Sequence, residues 1–516
     1  MGAVREDTRG VADLYDLLII GGGINGAGIA RDATGRGLKV VLAEQGDLAG
    51  YTSSSSTKLI HGGLRYLEYY EFRLVREALF ERERLLESAP HIIWPLRFIL
   101  PHEKGIRPAW FVRLGLFLYD HIAPRKKLPG TESIKLTRHP AGQALKPGFD
   151  KAFMYSDCWV EDSRMVALNA LDAFERGADI RVRTKLVSAR RDGETWVASL
   201  QNVETGETED VRARVVVNAA GPFVADVLNA KLGLNTTKNV RLVKGSHIVV
   251  PKLFDTKEAF ILQNTDKRIV FAIPYQEKFT LIGTTDIPVE SVPDKKVAIT
   301  EDEVRYLCSI VNHFFKRQVT PDEVVWTYSG VRPLFDDGSA NASAVTRDYV
   351  FDMDAPQGRA PVLSIFGGKI TTFRKLSEHA LDELKSYFPA MKPAWTETAK
   401  IPGGDMPDGD FDRFFATVRQ RWPFLPEALA NRLSRAYGTR VEELLGSAKA
   451  MADLGEDFGA GLTAAEVDYL MRREWARSAE DILWRRSKLG LHVPADGAAR
   501  IDAYIAKRNA ASIAAQ

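Results

Sequence analysis

Gly21, Gly23 and Gly26 fall at G-x-G-x-x-G spacing, and a carboxylate, Glu44, follows roughly 20 residues on. Glycines so spaced bring main-chain N–H groups against a pyrophosphate. The first permits a tight turn, the second a close backbone approach, and the third tight packing of a helix on a strand. A carboxylate at that distance can accept hydrogen bonds from a ribose diol. Such a cradle works only if a strand delivers it and a helix leaves it. Leu17-Leu18-Ile19-Ile20 suits a buried parallel strand, and Val40-Val41-Leu42-Ala43 suits its neighbour. Ala27 to Arg36 suits the helix between, whose N-terminus turns unpaired N–H groups and a positive dipole end toward phosphate. Ile24 and Asn25 sit inside the cradle. The order strand, glycines, helix, strand, acid specifies a Rossmann-like dinucleotide unit and admits NAD and FAD equally.

A second chemical run follows the second strand: Thr52-Ser53-Ser54-Ser55-Ser56-Thr57-Lys58-Leu59-Ile60-His61-Gly62-Gly63-Leu64-Arg65-Tyr66. Hydroxyls and glycines this dense suit a loop wrapped around phosphates and a planar ring. The bland alternative is a surface linker, which apolar and glycine flanks disfavour.

The chain has 516 residues, enough for two or three units, with 70 Lys+Arg against 68 Asp+Glu and a formal charge of +2. That balance gives no reason to expect nucleic acid. Cys158 and Cys308 are the only cysteines, too few for a disulfide framework, an iron–sulfur cluster or a zinc site, so no metal is expected and a reducing cytoplasm is the natural compartment. Met1 to Asp13 is charged and lacks the apolar core of a signal peptide, and no stretch reaches the length of a spanning helix.

The dinucleotide unit is expected to be discontinuous. Asp179 to Val187 reads as a further strand after a helix around Met165 to Arg176, Val215-Val216-Val217-Asn218-Ala219-Ala220-Gly221 as a strand running into small residues, and Val362 to Lys369 as a last return. Strand-like segments between about Val240 and Val350 suggest an antiparallel sheet roofing a pocket, and helical periods dominate from Phe411 onward. The predicted class is α/β: a discontinuous Rossmann-like dinucleotide-binding domain (14–80, 150–240, 345–395), a β-rich substrate domain (81–149, 241–344) and a C-terminal all-helical domain (396–516).

These residues resemble the respiratory FAD-dependent glycerol-3-phosphate dehydrogenases. The resemblance runs through Gly21 to Gly26, Ser53 to Tyr66, Tyr155 to Val160, Lys244-Gly245-Ser246-His247, Ile282 to Asp286, Tyr328 to Pro333, Thr346 to Tyr349 and Phe366-Gly367-Gly368-Lys369. It continues through Leu454 to Gly459 and Leu483 to Arg486. It implies FAD held by Gly21, Gly23, Ile24, Asn25, Gly26 and Glu44 at one end. The loop would contribute Thr52, Ser53, Ser54, Leu59, His61 and Gly62, and later segments Val187, Ala220, Gly221, Gly368, Lys369 and Thr372. The implied reaction oxidises the C2 hydroxyl of glycerol 3-phosphate, with hydride passing to the flavin and a base taking the hydroxyl proton. Guanidinium forks suit the substrate phosphate, which nominates Arg65, Arg332 and Arg347, with Tyr66 and Lys369 completing the substrate set. His247 is favoured over His61 as proton acceptor, with His61 nearer the flavin, and Arg332 can stabilise a developing alkoxide. Lys369 would also offset negative charge on reduced flavin.

The resemblance further implies transfer of electrons to ubiquinone or menaquinone, a homodimer, and residence at the cytoplasmic face of the inner membrane as a peripheral protein. Arg107 to Tyr119, followed by Arg125-Lys126-Lys127, combines aromatic, aliphatic and basic residues suited to a membrane interface; a buried core helix explains it equally well. Other readings are an oxidase of the same substrate using oxygen, an amine or amino-acid oxidase, and a flavin-binding regulatory or RNA-associated protein without turnover.

Overall fold

The computed structural model describes residues 14–103, 107–234, 238–264, 266, 268–292, 297–336 and 348–514. The first strand, Leu14–Ile20, shows why its apolar run is continuous. Leu17 and Ile19 enter the core under helix Ile24–Gly35, while Leu18 and Ile20 enter a separate core on the opposite face. Alternating side chains meet apolar partners on both sides of the sheet.

Parallel strands run in the order Val362–Phe366, Thr208–Asn218, Leu14–Ile20, Val40–Ala43 and Asp179–Arg181. Neighbours in space thus come from distant parts of the chain. Val350–Asp354 adds an antiparallel edge, and helices Asp162–Glu175 and Phe373–Glu383 pack beside Ile24–Gly35. The single strand predicted over Asp179 to Val187 is divided. Arg183 takes a left-handed φ of +53°, its guanidinium pairs with Asp481, and the chain resumes as Thr184–Asp192 in a hairpin with Thr195–Asn202.

The second sheet is the roof. Val240–Pro251 is its centre, pairing antiparallel with Trp326–Phe335 along one edge and with Phe279–Gly283 and Ile287–Val289 along the other. Ile269–Tyr275, Ala259–Gln263, Ile93–Pro101, Lys151–Val160 and Leu59–Ile60 extend it. Lys151–Val160 pairs with Ile93–Pro101 here, so the return to the dinucleotide sheet begins at helix Asp162–Glu175 rather than at 150. Helix Glu301–Phe314, started by a capping box between Thr300 and Glu303, covers one face of the roof.

Helices Phe411–Arg421, Glu427–Tyr437, Ala464–Glu474 and Gly497–Ala514 enclose their own core around Val418, Leu433, Leu470 and Ile482. Buried ion pairs fasten this unit to the dinucleotide side. Arg486 donates to both oxygens of Asp47 at 2.7 and 2.8 Å, Arg485 pairs with the same carboxylate, and Arg164 pairs with Glu474. Charges this deeply buried are tolerable only when paired and hydrogen-bonded.

Candidate active site

Two connected cavities open where the parallel strands end, the position at which such sheets receive ligands. The first, about 320 Å³, is lined by Gly21, Gly23, Ile24, Asn25, Glu44, Thr52, Ser53, Ala220, Gly221 and Gly368 among others. Its backbone geometry explains its glycines. Gly21 has φ +107°, and a Cβ there would lie 2.6 Å from the Ala219 carbonyl oxygen. Gly26 lies behind the cavity wall, where a Cβ would fall 1.9 Å from the Gly21 oxygen. Glu44 accepts from the Gly22 and Gly46 amides at 2.6 and 2.7 Å. Burial raises its pKa and those amide bonds oppose the rise, so the carboxylate is pinned at the end of its strand.

Three loops meet over the cradle. Ile24 donates its amide to Ser53 Oγ at 3.0 Å, Asn25 Nδ2 donates to the Gly367 carbonyl at 3.1 Å, and Thr52 Oγ1 donates to the Val331 carbonyl at 2.7 Å. Asn25 Oδ1 is buried without a hydrogen-bond partner. Gly368, at φ +104°, leaves space that a Cβ would close to 2.8 Å from Asn25 Nδ2. A glycine cradle, a carboxylate at the end of the neighbouring strand, an unspent acceptor and a second glycine turn further along fit a long dinucleotide such as FAD.

The second cavity, about 250 Å³, continues from Ile24, Thr52 and Ser53 to a cluster of different character: His61, Tyr66, His247, Arg332 and Lys369, with Leu59, Thr57 and Asp348. Lys369 Nζ stands 4.1 Å from the centroid of the Tyr66 ring. Arg332 pairs with Asp286 and donates to the Thr285 carbonyl at 3.1 Å. A Cβ at Gly245 would come within 2.7 Å of that guanidinium, so the glycine leaves room for it. Glu303 braces the neighbouring loop, accepting from Ser246 Oγ at 2.8 Å and Thr285 Oγ1 at 2.7 Å while pairing with Lys244 at 2.7 Å.

His247 lies on the central roof strand, with Nε2 3.0 Å from Thr57 Oγ1 and its ring stacked on Tyr328 at 4.6 Å. Burial, with the charges of Lys58 and Arg332, lowers its pKa to about 3, so the imidazole is neutral at pH 7. Burial also lowers the pKa of His61, aided by Lys369 and Arg82 against the opposing pull of Asp157.

The remaining predicted residues are placed as follows. Ser54 faces an adjoining cavity beyond the strand carrying Tyr328. Gly62 donates its amide to Tyr119 Oη at 2.8 Å and is enclosed by Leu79 and Tyr119. Val187 sits at a bulge with its side chain exposed, leaving Thr184, Lys185 and Leu186 on the first cavity. Arg65 is outside the cavity lining, with NH2 3.4 Å from Tyr69 Oη. Thr372 is buried at the start of helix Phe373–Glu383. Arg347 lies outside the described residues. Sequence reasoning missed Thr57, Asp286 and Asp348. Thr57 was hidden in the serine run and Asp286 in Ile282 to Asp286, where residue type alone did not separate them from their neighbours.

The family described as FAD dependent oxidoreductase matches residues 16–374, and the C-terminal domain of alpha-glycerophosphate oxidase matches residues 394–507. The chain is 55% identical to D-erythritol 1-phosphate dehydrogenase of Brucella abortus, covering 93% of this chain and 95% of that one. It is 51% identical to aerobic glycerol-3-phosphate dehydrogenase of Escherichia coli, covering 95% and 97%. The structure of glycerol-3-phosphate dehydrogenase from Bacillus halodurans complexed with FAD superposes with a TM-score of 0.74 at 27% identity, over 92% of this chain and 86% of that one. The two matched families together span the dinucleotide sheet, the roof and the helical unit, so this chain belongs to the FAD dependent oxidoreductases, with FAD as its cofactor, in the branch that carries the alpha-glycerophosphate oxidase C-terminal domain.

Proposed function

We propose that this protein oxidises sn-glycerol 3-phosphate at C2 to dihydroxyacetone phosphate and passes the electrons from FAD to a membrane quinone, ubiquinone or menaquinone. The observation that carries the reading is the cationic cluster of Arg332 and Lys369, with two neutral histidines, at the far end of the dinucleotide crevice. A phosphate monoester needs fixed cations, and an alcohol under oxidation needs a proton acceptor beside it. FAD supplies the two-electron acceptor for the hydride at C2. Lys369 and Tyr66 bind the phosphate end of the substrate, together with Arg347 in this reading, while Arg65, outside the cavity lining, is left out of the set. Arg332, steadied by Asp286, stabilises the developing oxyanion, and His247 with His61 forms the proton-accepting side. Along the crevice, the FAD contacts are those of the cradle, the serine loop and Gly368 to Thr372, with Ala220, Gly221 and the Val187 segment at the adenosine end.

The test is anaerobic titration of the yellow protein with sn-glycerol 3-phosphate. Bleaching of the flavin is expected, and flavin that stays oxidised overturns the reading. The identity to the Brucella abortus protein favours one second reading, oxidation of D-erythritol 1-phosphate, which also joins a phosphate monoester to a carbinol. The same titration with each substrate separates them by their rates of bleaching.

The acceptor reading is supported by helix Ala109–His121. Trp110 is 69% exposed, and Phe111, Leu114, Phe117 and Leu118 share its outward stripe, close to Arg113 and the basic run Arg125 to Lys127. No described helix is long and apolar enough to cross a membrane. An exposed apolar stripe edged with basic residues suits peripheral binding at the cytoplasmic face of the inner membrane. The protein works as a homodimer in this reading, and its near-neutral charge speaks against nucleic acid as a partner. Hydrogen peroxide formed in a quinone-free assay at the full turnover rate overturns the quinone in favour of oxygen.

A further inference from the structure

We propose that Thr57 is the hydroxyl through which the substrate's C2–OH proton reaches His247. The inference rests on reading the second cavity as the site of alcohol oxidation. Both residues line that cavity, but they present themselves differently. The imidazole is 2% exposed and clamped on several sides: Tyr328 stacks on its face at 4.6 Å, and Gly283 fits so closely that a Cβ there would lie 2.1 Å from His247 Cδ2. Thr57 is only half-buried, and its Oγ1 sits 3.0 Å from His247 Nε2. A small alcohol entering the cavity therefore meets the threonine hydroxyl at the mouth of the histidine's enclosure.

The surroundings hold this pair in place. Lys58, next in the chain, is fixed by Asp162, with Nζ 2.9 Å from each carboxylate oxygen, and stands 4.9 Å from the Tyr328 ring centroid. Tyr328 Oη donates to the Ser56 carbonyl at 2.9 Å, so the strand that stacks on His247 also grips the loop that carries Thr57. His247 Nδ1 is buried without a hydrogen-bond partner, which leaves Nε2 as the nitrogen with a contact toward the cavity. In the relay the tautomer is the one with a lone pair on Nε2, which accepts the Thr57 hydroxyl proton and leaves the oxygen of that hydroxyl facing the cavity as an acceptor.

The balance of the step follows. The substrate O–H bond breaks and its proton joins Thr57 Oγ1, while the proton already on Oγ1 passes to His247 Nε2. The C2–H bond breaks with its electron pair leaving as hydride for the FAD of the proposed reaction, and C2=O forms. Thr57 ends as it began, and the imidazolium returns its proton to water after product leaves.

The test uses full-length, FAD-loaded protein and the variants Thr57→Val and Thr57→Ser. Anaerobic flavin bleaching by sn-glycerol 3-phosphate or D-erythritol 1-phosphate is followed in H₂O and D₂O, with FAD content and dihydroxyacetone phosphate binding measured alongside. Thr57→Val is expected to slow bleaching about 10²-fold, the scale of general base catalysis, with both bindings retained. Thr57→Ser is expected to restore most of the rate and the solvent isotope effect. Bleaching by Thr57→Val at the parent rate overturns the relay, as does Thr57→Ser as slow as Thr57→Val. Nitrogen-15 NMR of labelled histidine provides an arm that needs no turnover: His247 Nε2 is expected to be unprotonated in the parent, and an N–H there overturns the proposal. Parent protein that fails to bleach with either substrate sinks the proposed function instead, and the NMR arm still decides the relay.

Discussion

The two ends of the flavin crevice are built on opposite plans. The glycine-cradle end is centred on one stretch, Gly21 to Glu44, with Ala220 and Gly221 joining it from a later strand, and it is shaped by main chain: glycines without room for Cβ atoms, amides on the Glu44 carboxylate, a helix N-terminus. The other end, the second cavity, draws His61, His247, Asp286, Arg332 and Lys369 from separate segments of both sheets and is dominated by side-chain charge. Main-chain recognition binds residues to a fixed local spacing. Side-chain recognition asks only that the fold bring the right groups together.

The contrast predicts different failures. Gly26→Ala places a Cβ 1.9 Å from the Gly21 oxygen, where backbone cannot yield, so purified protein is expected without bound FAD and with a lowered unfolding temperature. A yellow, fully loaded Gly26→Ala protein breaks the claim that this end is a main-chain device. Arg332→Ala removes a side chain at the other end. It is expected to lower kcat by about 10²–10³-fold, the scale of losing one oxyanion donor, while FAD content stays at the parent level. Equal loss of flavin and turnover would erase the distinction between the two ends.

The smallest effect concerns the brace behind Arg332. Burial raises the pKa of Glu303, but Lys244, the Thr300 amide and the hydroxyls of Thr285 and Ser246 outweigh it and hold the value down at about 2, below the ordinary 4.5. A depressed carboxylate stabilises the fold above its unfolded pKa and loses that contribution as pH falls through the folded value. The contribution of Glu303 is therefore complete above about 4.5 and lost toward pH 2. Unfolding temperatures of the parent and Glu303→Gln should converge over that interval. A constant difference across it would show that Glu303 acts through packing alone.

The same contrast explains what the sequence revealed. Leu17 to Glu44 announced its strands, helix and cradle because burial on both sheet faces demands unbroken apolar residues and phosphate approach demands glycine. Lys151–Val160 was harder to place, since a buried strand of either sheet has the same composition, and only pairing with Ile93–Pro101 assigns it to the roof. Arg183 broke an expected strand because its pairing with Asp481 involves a residue 298 positions away. Thr57 looked like one more hydroxyl in a run. Its distinction is a 3.0 Å contact with a ring 190 residues distant, which no local spacing encodes.

Asp47 adds a matter of timing. It lies three residues beyond Glu44, and the guanidinium that takes both its oxygens belongs to Arg486, 439 residues later. On the ribosome the glycine cradle emerges early, while the cations that allow Asp47 to be buried emerge near the end. The first part of the site to be made is thus among the last to be finished. Asp47 cannot be buried with its charge paired until the helical unit has docked, so the turn beyond Glu44 is completed by a late part of the chain.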